Sequence, residues 1–274
     1  MSEPLSPAQL DAYLARIGYD GPLQVDAVTL AALHRAHGLA IPFENLDVQL
    51  DQPPTLDPAA TFTKLVERRR GGWCYEQNGL LGRALGALGF TVTRLSGGVM
   101  RELRGPFTMG SHLCLKVQAE GQDWLCDAGF GASQLEPLPL TEASWKQGPI
   151  GGQLTRTADQ YWRLDVQQGP NPLSYDFLDE PADEARLAAL CTWQGSDPES
   201  VFVQNLVVQQ RRDGEHLMLR GRVFTRTGAE GSTQRVLESA AELLDLLQDT
   251  FGLDESRIAE RWDRICARHT LLFG

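Results

Sequence analysis

A chain of 274 residues that is 42% hydrophobic and 22% charged is long and apolar enough for two or three packed units, which excludes wholesale disorder. Its 36 acidic against 25 basic residues leave a formal charge of −11, the wrong sign for a nucleic-acid partner or an anionic membrane surface. The five cysteines lack the spacing of a disulfide scaffold or a zinc ribbon, and the first twenty residues show no basic start or apolar stretch of a secretory signal. The expectation is a cytoplasmic protein without a resident metal.

Taken in chain order, residues 1–88 read as helical. Ser6-Pro7 starts a first helix that Gly18 stops. Asp26 to His37 repeats apolar residues near helical spacing until Pro42 breaks the pattern ahead of PFENLDV. A third helix begins near Cys74, where Leu80, Leu81, Ala84, Leu85 and Leu88 recur on one face up to Gly89. Residues 89–182 change to short alternating runs, FTVTRL, SHLCLKVQA, DWLCDAG and YWRLDVQ, separated by turn residues, which predicts antiparallel sheet or barrel. Residues 183–204 start as helix through Trp193 and lead into VFVQN. In 205–274, Asp213-Gly214 predicts a hairpin turn in a small sheet, and helix returns with Val236, Leu237, Ala240, Leu244 and Leu247 on one face, then Ile258, Trp262 and Ile265.

Cys74 stands in RRRGGWCYEQN. Two glycines allow a close chain approach, and the helix that follows places the sulfur at a helix N-terminus, where the macrodipole favours a thiolate. The Arg68–Arg70 cluster offers further positive charge. A base follows from strand arithmetic. If Glu120-Gly121 is a two-residue turn, Lys116 pairs with Leu125 and Cys114 with Asp127, so Asp127 becomes the diagonal neighbour of His112. A three-residue loop would reverse that parity. Each residue alone also reads as ordinary packing, but Cys74, His112 and Asp127 together form a nucleophile, a base and a group that orients the base. His34 and His37, one turn apart on a helix, have no acidic or cysteine partner at metal-site spacing and read as packing or surface residues. Cys114, Cys126, Cys191 and Cys266 read as packing residues.

The sequence resembles the arylamine N-acetyltransferase family. RGGWCYEQN at 70–78 is similar to its nucleophile motif, SHLCLKV at 111–117 to its histidine strand and DAGFG at 127–131 to its aspartate loop. YLARIGY at 13–19, IPFENLDV at 41–48 and DPESVFVQN at 197–205 match further motifs, in order, over about three quarters of the chain. The resemblance implies an α+β fold with an N-terminal helical bundle, a central antiparallel β-barrel and a C-terminal α/β lid, in a cysteine-protease-like Cys-His-Asp arrangement. It implies a ping-pong transfer from acetyl-CoA, through an acetyl-cysteine, to an arylamine, hydrazine or N-hydroxyarylamine. By the same resemblance Phe43, Phe130 and Phe202 line the acceptor pocket, Val99 and Gly131 lie near bound CoA, and Arg16, Glu44 and Arg70 are structural. Ala128 departs from the larger β-branched residue usual in the family, and Trp73 holds a variable position. A thiol hydrolase or a transglutaminase-like amide transferase shares the trio and differs in its acyl donor.

Overall fold

The structure is a computed structural model that describes residues 3–131, 134–167 and 173–273. Helices α1 (Pro7–Ile17) and α2 (Ala27–Ala40) begin where the sequence places them. Ser6 caps α1 in a reciprocal pair with Gln9, Gly18 closes it at φ +66°, and Asp26 caps α2 by accepting from the Thr29 N–H. The short strand β1 (Phe43–Glu44), the turn α3 (Leu46–Gln49), helix α4 (Pro58–Phe62) and a π-turn over Thr63–Glu67 then lead to α5 (Cys74–Ala87). These helices share a core that includes Tyr13, Leu30, Leu33, Leu65, Leu81 and Leu85, all nearly or fully buried.

Eight antiparallel strands curl into a nearly closed barrel: β2 (Thr91–Val99), β3 (Met109–Ala119), β4 (Gln122–Cys126), β5 (Leu138–Pro139), β6 (Ala143–Gln147), β7 (Ile150–Arg156), β8 (Trp162–Gln167) and β9 (Leu173–Phe177). Their order, β5-β4-β3-β2-β9-β8-β7-β6, leaves β5 and β6 as edges. The Gln147 amide spans that gap, accepting from the N–H groups of Leu135 and Glu136 at 2.6 and 3.0 Å and donating to the Glu136 carbonyl. The β6–β7 hairpin was not singled out in the sequence. The β3–β4 turn is the two-residue one the arithmetic requires, with Glu120 and Gly121 both at positive φ, Ala119 facing Gln122 and Lys116 facing Leu125.

A short helix, α6 (Arg101–Arg104), follows β2; helix α7 (Glu184–Ser196) crosses from the barrel to the last unit, and VFVQ is a helical turn, α8 (Val201–Gln204), ahead of the next strand. Strands β10 (Val207–Arg212), β11 (Glu215–Arg220), β12 (Val223–Gly228) and β13 (Gly231–Val236) form a meander, with the Asp213-Gly214 turn in place. Its outer partner is β1, far upstream in the chain and paired antiparallel with β10 in the register Phe43↔Gln209 and Glu44↔Val208. The C-terminal apolar face differs from the expected one. Ser239 caps α9 (Ala240–Asp245), so Val236 ends a strand and is exposed, while Leu237, Leu243, Leu246 and Leu247 are buried. Carrying a helical phase across the strand-to-helix junction set the expected face off register. Ile258 and Ile265 are buried as anticipated, on a 3₁₀ turn and on α10 (Trp262–Phe273).

Candidate active site

Cys74 is the first residue of α5 and is 5% exposed. The loop before it is pinned from both sides: the Gly72 N–H donates to the Pro42 carbonyl at 3.1 Å and the Glu44 N–H donates to the Gly72 carbonyl at 3.2 Å. Only glycine fits at 71, because a Cβ there would sit 2.3 Å from the Pro42 oxygen. Arg16 spreads over the carbonyls of Leu65, Ala40, Arg69 and Arg70, a structural role. The Glu76 carboxylate accepts from the Trp73 N–H and tightens the first turn of the helix.

The Arg68–Arg70 cluster does not serve Cys74. Arg68 and Arg69 are exposed, while Arg70 is committed to Glu44, Asp47 and Glu255 at 2.8–3.0 Å. Lys64 joins the same network through Asp47 and Glu76. Burial pushes the Glu76 carboxyl up to about 7, with Glu44 and Asp47 adding to the rise and Lys64 opposing it.

His112 and Asp127 meet at the end of the hairpin. The β3–β4 ladder stops at Leu115↔Cys126, and one step beyond it the His112 Nε2 lies 2.7 Å from Asp127 Oδ2, both side chains buried. A bulge between Gly97 and Gly98 bends β2 against β3 at this point. Burial alone would lower the His112 imidazole, but the charges of Asp127 and Cys74, each also a side-chain hydrogen-bond partner, raise it to about 10. Asp127 is held below the usual carboxylate range: burial pushes it up, and His112, Asn78 and Tyr175 outweigh that. Cys74, His112 and Asp127 are thus brought together from α5, β3 and the end of β4, with the His112 imidazole favoured in its charged form beside the Asp127 carboxylate.

Two residues of this site were not singled out beforehand. Asn78 donates to Asp127 Oδ1 at 2.8 Å and to the Leu113 carbonyl, and accepts from the Ala128 N–H. Its signal was legible, since it lies four residues after Cys74 and therefore on the same face of α5. Tyr175 packs its ring 4.5 Å from His112 and 4.9 Å from Phe130; no local pattern marks a strand tyrosine for that place. Gly129 is a contact point, because a Cβ there would lie 2.5 Å from the Cys74 Cα.

The three phenylalanines fall around the centre. Phe43 and Phe202 lie 6.1 Å apart in one apolar cluster with Cys74 and the fully buried Trp73, and the Phe130 ring covers His112 at 5.1 Å. Val99 ends β2 against the barrel core, and Gly131, at φ +59°, sits under Gln209 of the C-terminal sheet. His34 and His37 are neither surface residues nor metal ligands, since each spends both ring nitrogens on protein partners. His37 lies 2.9 Å from the Tyr13 hydroxyl and 2.8 Å from Gln77 Oε1, and burial lowers it to about 3. Through Gln77, whose amide donates to the Gly72 carbonyl at 3.2 Å, it supports the loop before Cys74.

Known proteins share the sequence pattern and the fold of this chain. A family profile described as N-acetyltransferase matches residues 26–258. The arylamine N-acetyltransferase of Mycolicibacterium smegmatis is 39% identical over 264 residues, covering 92% of this chain and 94% of that protein. That of Escherichia coli K12 is 33% identical over 89% of this chain and 88% of its own. Among solved structures, the Mycobacterium tuberculosis enzyme superposes with a TM-score of 0.85 at 32% identity, covering 93% of this chain and 99% of that one. The Mycobacterium marinum enzyme in complex with CoA superposes with a TM-score of 0.83 at 31% identity, covering 94% and 97%. On sequence and fold together, the chain belongs to the arylamine N-acetyltransferase family.

Proposed function

We propose that this enzyme transfers an acetyl group from acetyl-CoA to the nitrogen of an arylamine, hydrazine or N-hydroxyarylamine in two half-reactions through acetyl-Cys74. The observation that carries the reading is the chain Cys74–His112–Asp127 at a helix N-terminus, with Asp127 2.7 Å from an imidazole raised to about 10.

In the first half, the Cys74 thiolate attacks the thioester carbonyl, the carbon–sulfur bond to CoA breaks, and CoA leaves with the His112 proton. One thioester replaces another, so the step is nearly balanced and its barrier is a matter of placing charge. Acetylation then removes the Cys74 charge, one of the two that raise His112. The imidazole becomes a base suited to neutral pH. In the second half it accepts a proton from the attacking amine while the carbon–sulfur bond to Cys74 breaks, which restores thiolate and imidazolium. Asp127 orients the ring throughout and stabilises its charge.

Phe43, Phe130 and Phe202 serve as the apolar walls for an aromatic acceptor, and Val99 and Gly131 lie along the acyl-CoA side. The M. marinum complex with CoA supports acetyl-CoA as co-substrate. No described helix is long and apolar enough to cross a membrane, and all five cysteines are unpaired; we place the enzyme in the cytoplasm on the second observation. We divide the chain as residues 1–88, 89–182, 183–204 and 205–274, the third a helical segment between barrel and lid. A thiol hydrolase would share the trio, but the family match over most of the chain favours acyl transfer.

The test is intact mass and CoA release on mixing with acetyl-CoA alone, then with an aromatic amine. A Cys74-dependent acetyl adduct that disappears as acetylated amine forms is the expected result. An adduct of equal yield in Cys74→Ala would overturn the mechanism.

A further inference from the structure

His34, for which spacing supplies no metal partner, is completely buried. Its Nε2 lies 3.0 Å from the main-chain N of Asp127, and its Nδ1 lies 2.9 Å from the Leu135 carbonyl oxygen. An N–H can only donate and a carbonyl can only accept. The ring is therefore neutral, with its proton on Nδ1 and a lone pair on Nε2.

The contact answers a need created by the fold. The β3–β4 ladder ends at Leu115↔Cys126, so Asp127 has stepped off the sheet and its N–H has no ladder acceptor. His34, 93 residues earlier on α2, supplies one. The same ring grips the Leu135 carbonyl, so one imidazole ties the main chain at Asp127 to that at Leu135.

We infer that His34 is a positioning residue of the acyl-transfer site, holding the main chain of Asp127 so that its carboxylate stays aimed at His112. The inference rests on the Cys74–His112–Asp127 reading above. A neutral ring suits the task, because a cation at that point would compete with His112 for the carboxylate. The titratable groups that face His34 are Asp127, Glu136 and, one turn along α2, His37. Burial, the largest influence, lowers His34 and keeps it uncharged.

Two amides separate the two contacts. In His34→Gln the amide oxygen reaches about as far as Nε2 and retains the Asp127 contact; in His34→Asn the amide reaches only as far as Nδ1 and retains the Leu135 contact. Alkylation of Cys74 by iodoacetamide, followed across pH by peptide mass spectrometry, reads the thiolate–imidazolium pair without any acceptor. His34→Gln is expected to keep the wild-type profile. His34→Asn is expected to lose about tenfold in rate at pH 7, the scale of one buried donor left unsatisfied, with its limb moved to higher pH. A wild-type profile in His34→Asn, or equal losses in both variants, would overturn the inference. A second measurement needs no variant: nitrogen-15 shifts of His34 in the wild-type enzyme should show the Nδ1–H tautomer at neutral pH, and an Nε2–H tautomer or an imidazolium there would refute it. Failure of the underlying mechanism looks different, since the wild-type enzyme would then take no acetyl group on Cys74.

Discussion

The loop that delivers Cys74 and the hairpin that delivers His112 and Asp127 are secured by opposite kinds of interaction. Behind Cys74, Lys64 and Arg70 meet Glu44, Asp47, Glu76 and Glu255 in a buried ion network. Around Asp127 the supporting partners apart from His112 are uncharged: the Asn78 amide, the Gly129 N–H and Tyr175 at the carboxylate, and the His34 imidazole, which accepts from the main-chain N–H. The difference has an electrostatic reason. A second cation beside Asp127 would divide its field and weaken its hold on the His112 proton, whereas neutral donors fix the carboxylate and leave its charge to one partner. The ion network can be charged because it lies on the other side of α5. Glu76 is two residues beyond Cys74, and side chains two apart on a helix point to nearly opposite faces.

The largest effect should come from the neutral side. Asp127→Asn keeps the shape but loses the charge and sets the amide to donate where it must accept, so acetyl-enzyme formation should fall by about 10³–10⁴-fold in a stopped-flow CoA-release assay. A loss under tenfold would mean that Asp127 does not stabilise His112, and the comparison would fail. Next, Arg70→Met leaves Glu44 and Asp47 with Lys64, and Glu255 with the half-exposed Arg257, to balance them. Removing one partner of such a network costs about 3–5 kcal/mol, measured by urea denaturation at neutral pH. An unchanged midpoint would show that the network is not what anchors the Cys74 loop.

The two sides should also separate with pH. His112 has a folded value raised above its unfolded one, so its contribution to stability is complete below pH 6.5 and is lost as pH rises through about 10. The stability difference between the wild-type enzyme and His112→Gln should therefore shrink toward pH 10. A difference that grows with pH would reverse the assigned charge. The smallest effect belongs to the surface: Arg94 and Glu184 join β2 to α7 through a forked pair, with Glu184 53% exposed at its side chain. Glu184→Gln should cost less than about 1 kcal/mol in the same urea assay.

Much of the site was legible from local rules because its key relation is local. The turn at Glu120-Gly121 sets the register of β3 and β4, and strand alternation then brings Asp127 to His112 across only fifteen residues. The helix after Gly71-Gly72 likewise places Cys74 at its start by propensity and close approach alone. Where the expectation went astray, a local phase had been carried through a change of structure, as at Val236, or charge had been assigned by proximity in sequence, as for Arg70.

By itself, then, the sequence determined the α+β division, the hairpin register, the helix that presents Cys74 and the family. Tertiary structure decided what surrounds them. It brought β1 onto the edge of the C-terminal sheet, set Phe202 beside Phe43 and Trp73, stitched the barrel with Gln147 and turned His34 toward Asp127. The physical reason is the range of the rule. Turn geometry and side-chain periodicity act over a few residues, whereas a buried polar group takes whichever partner packing delivers, and no spacing in the chain records which one that will be.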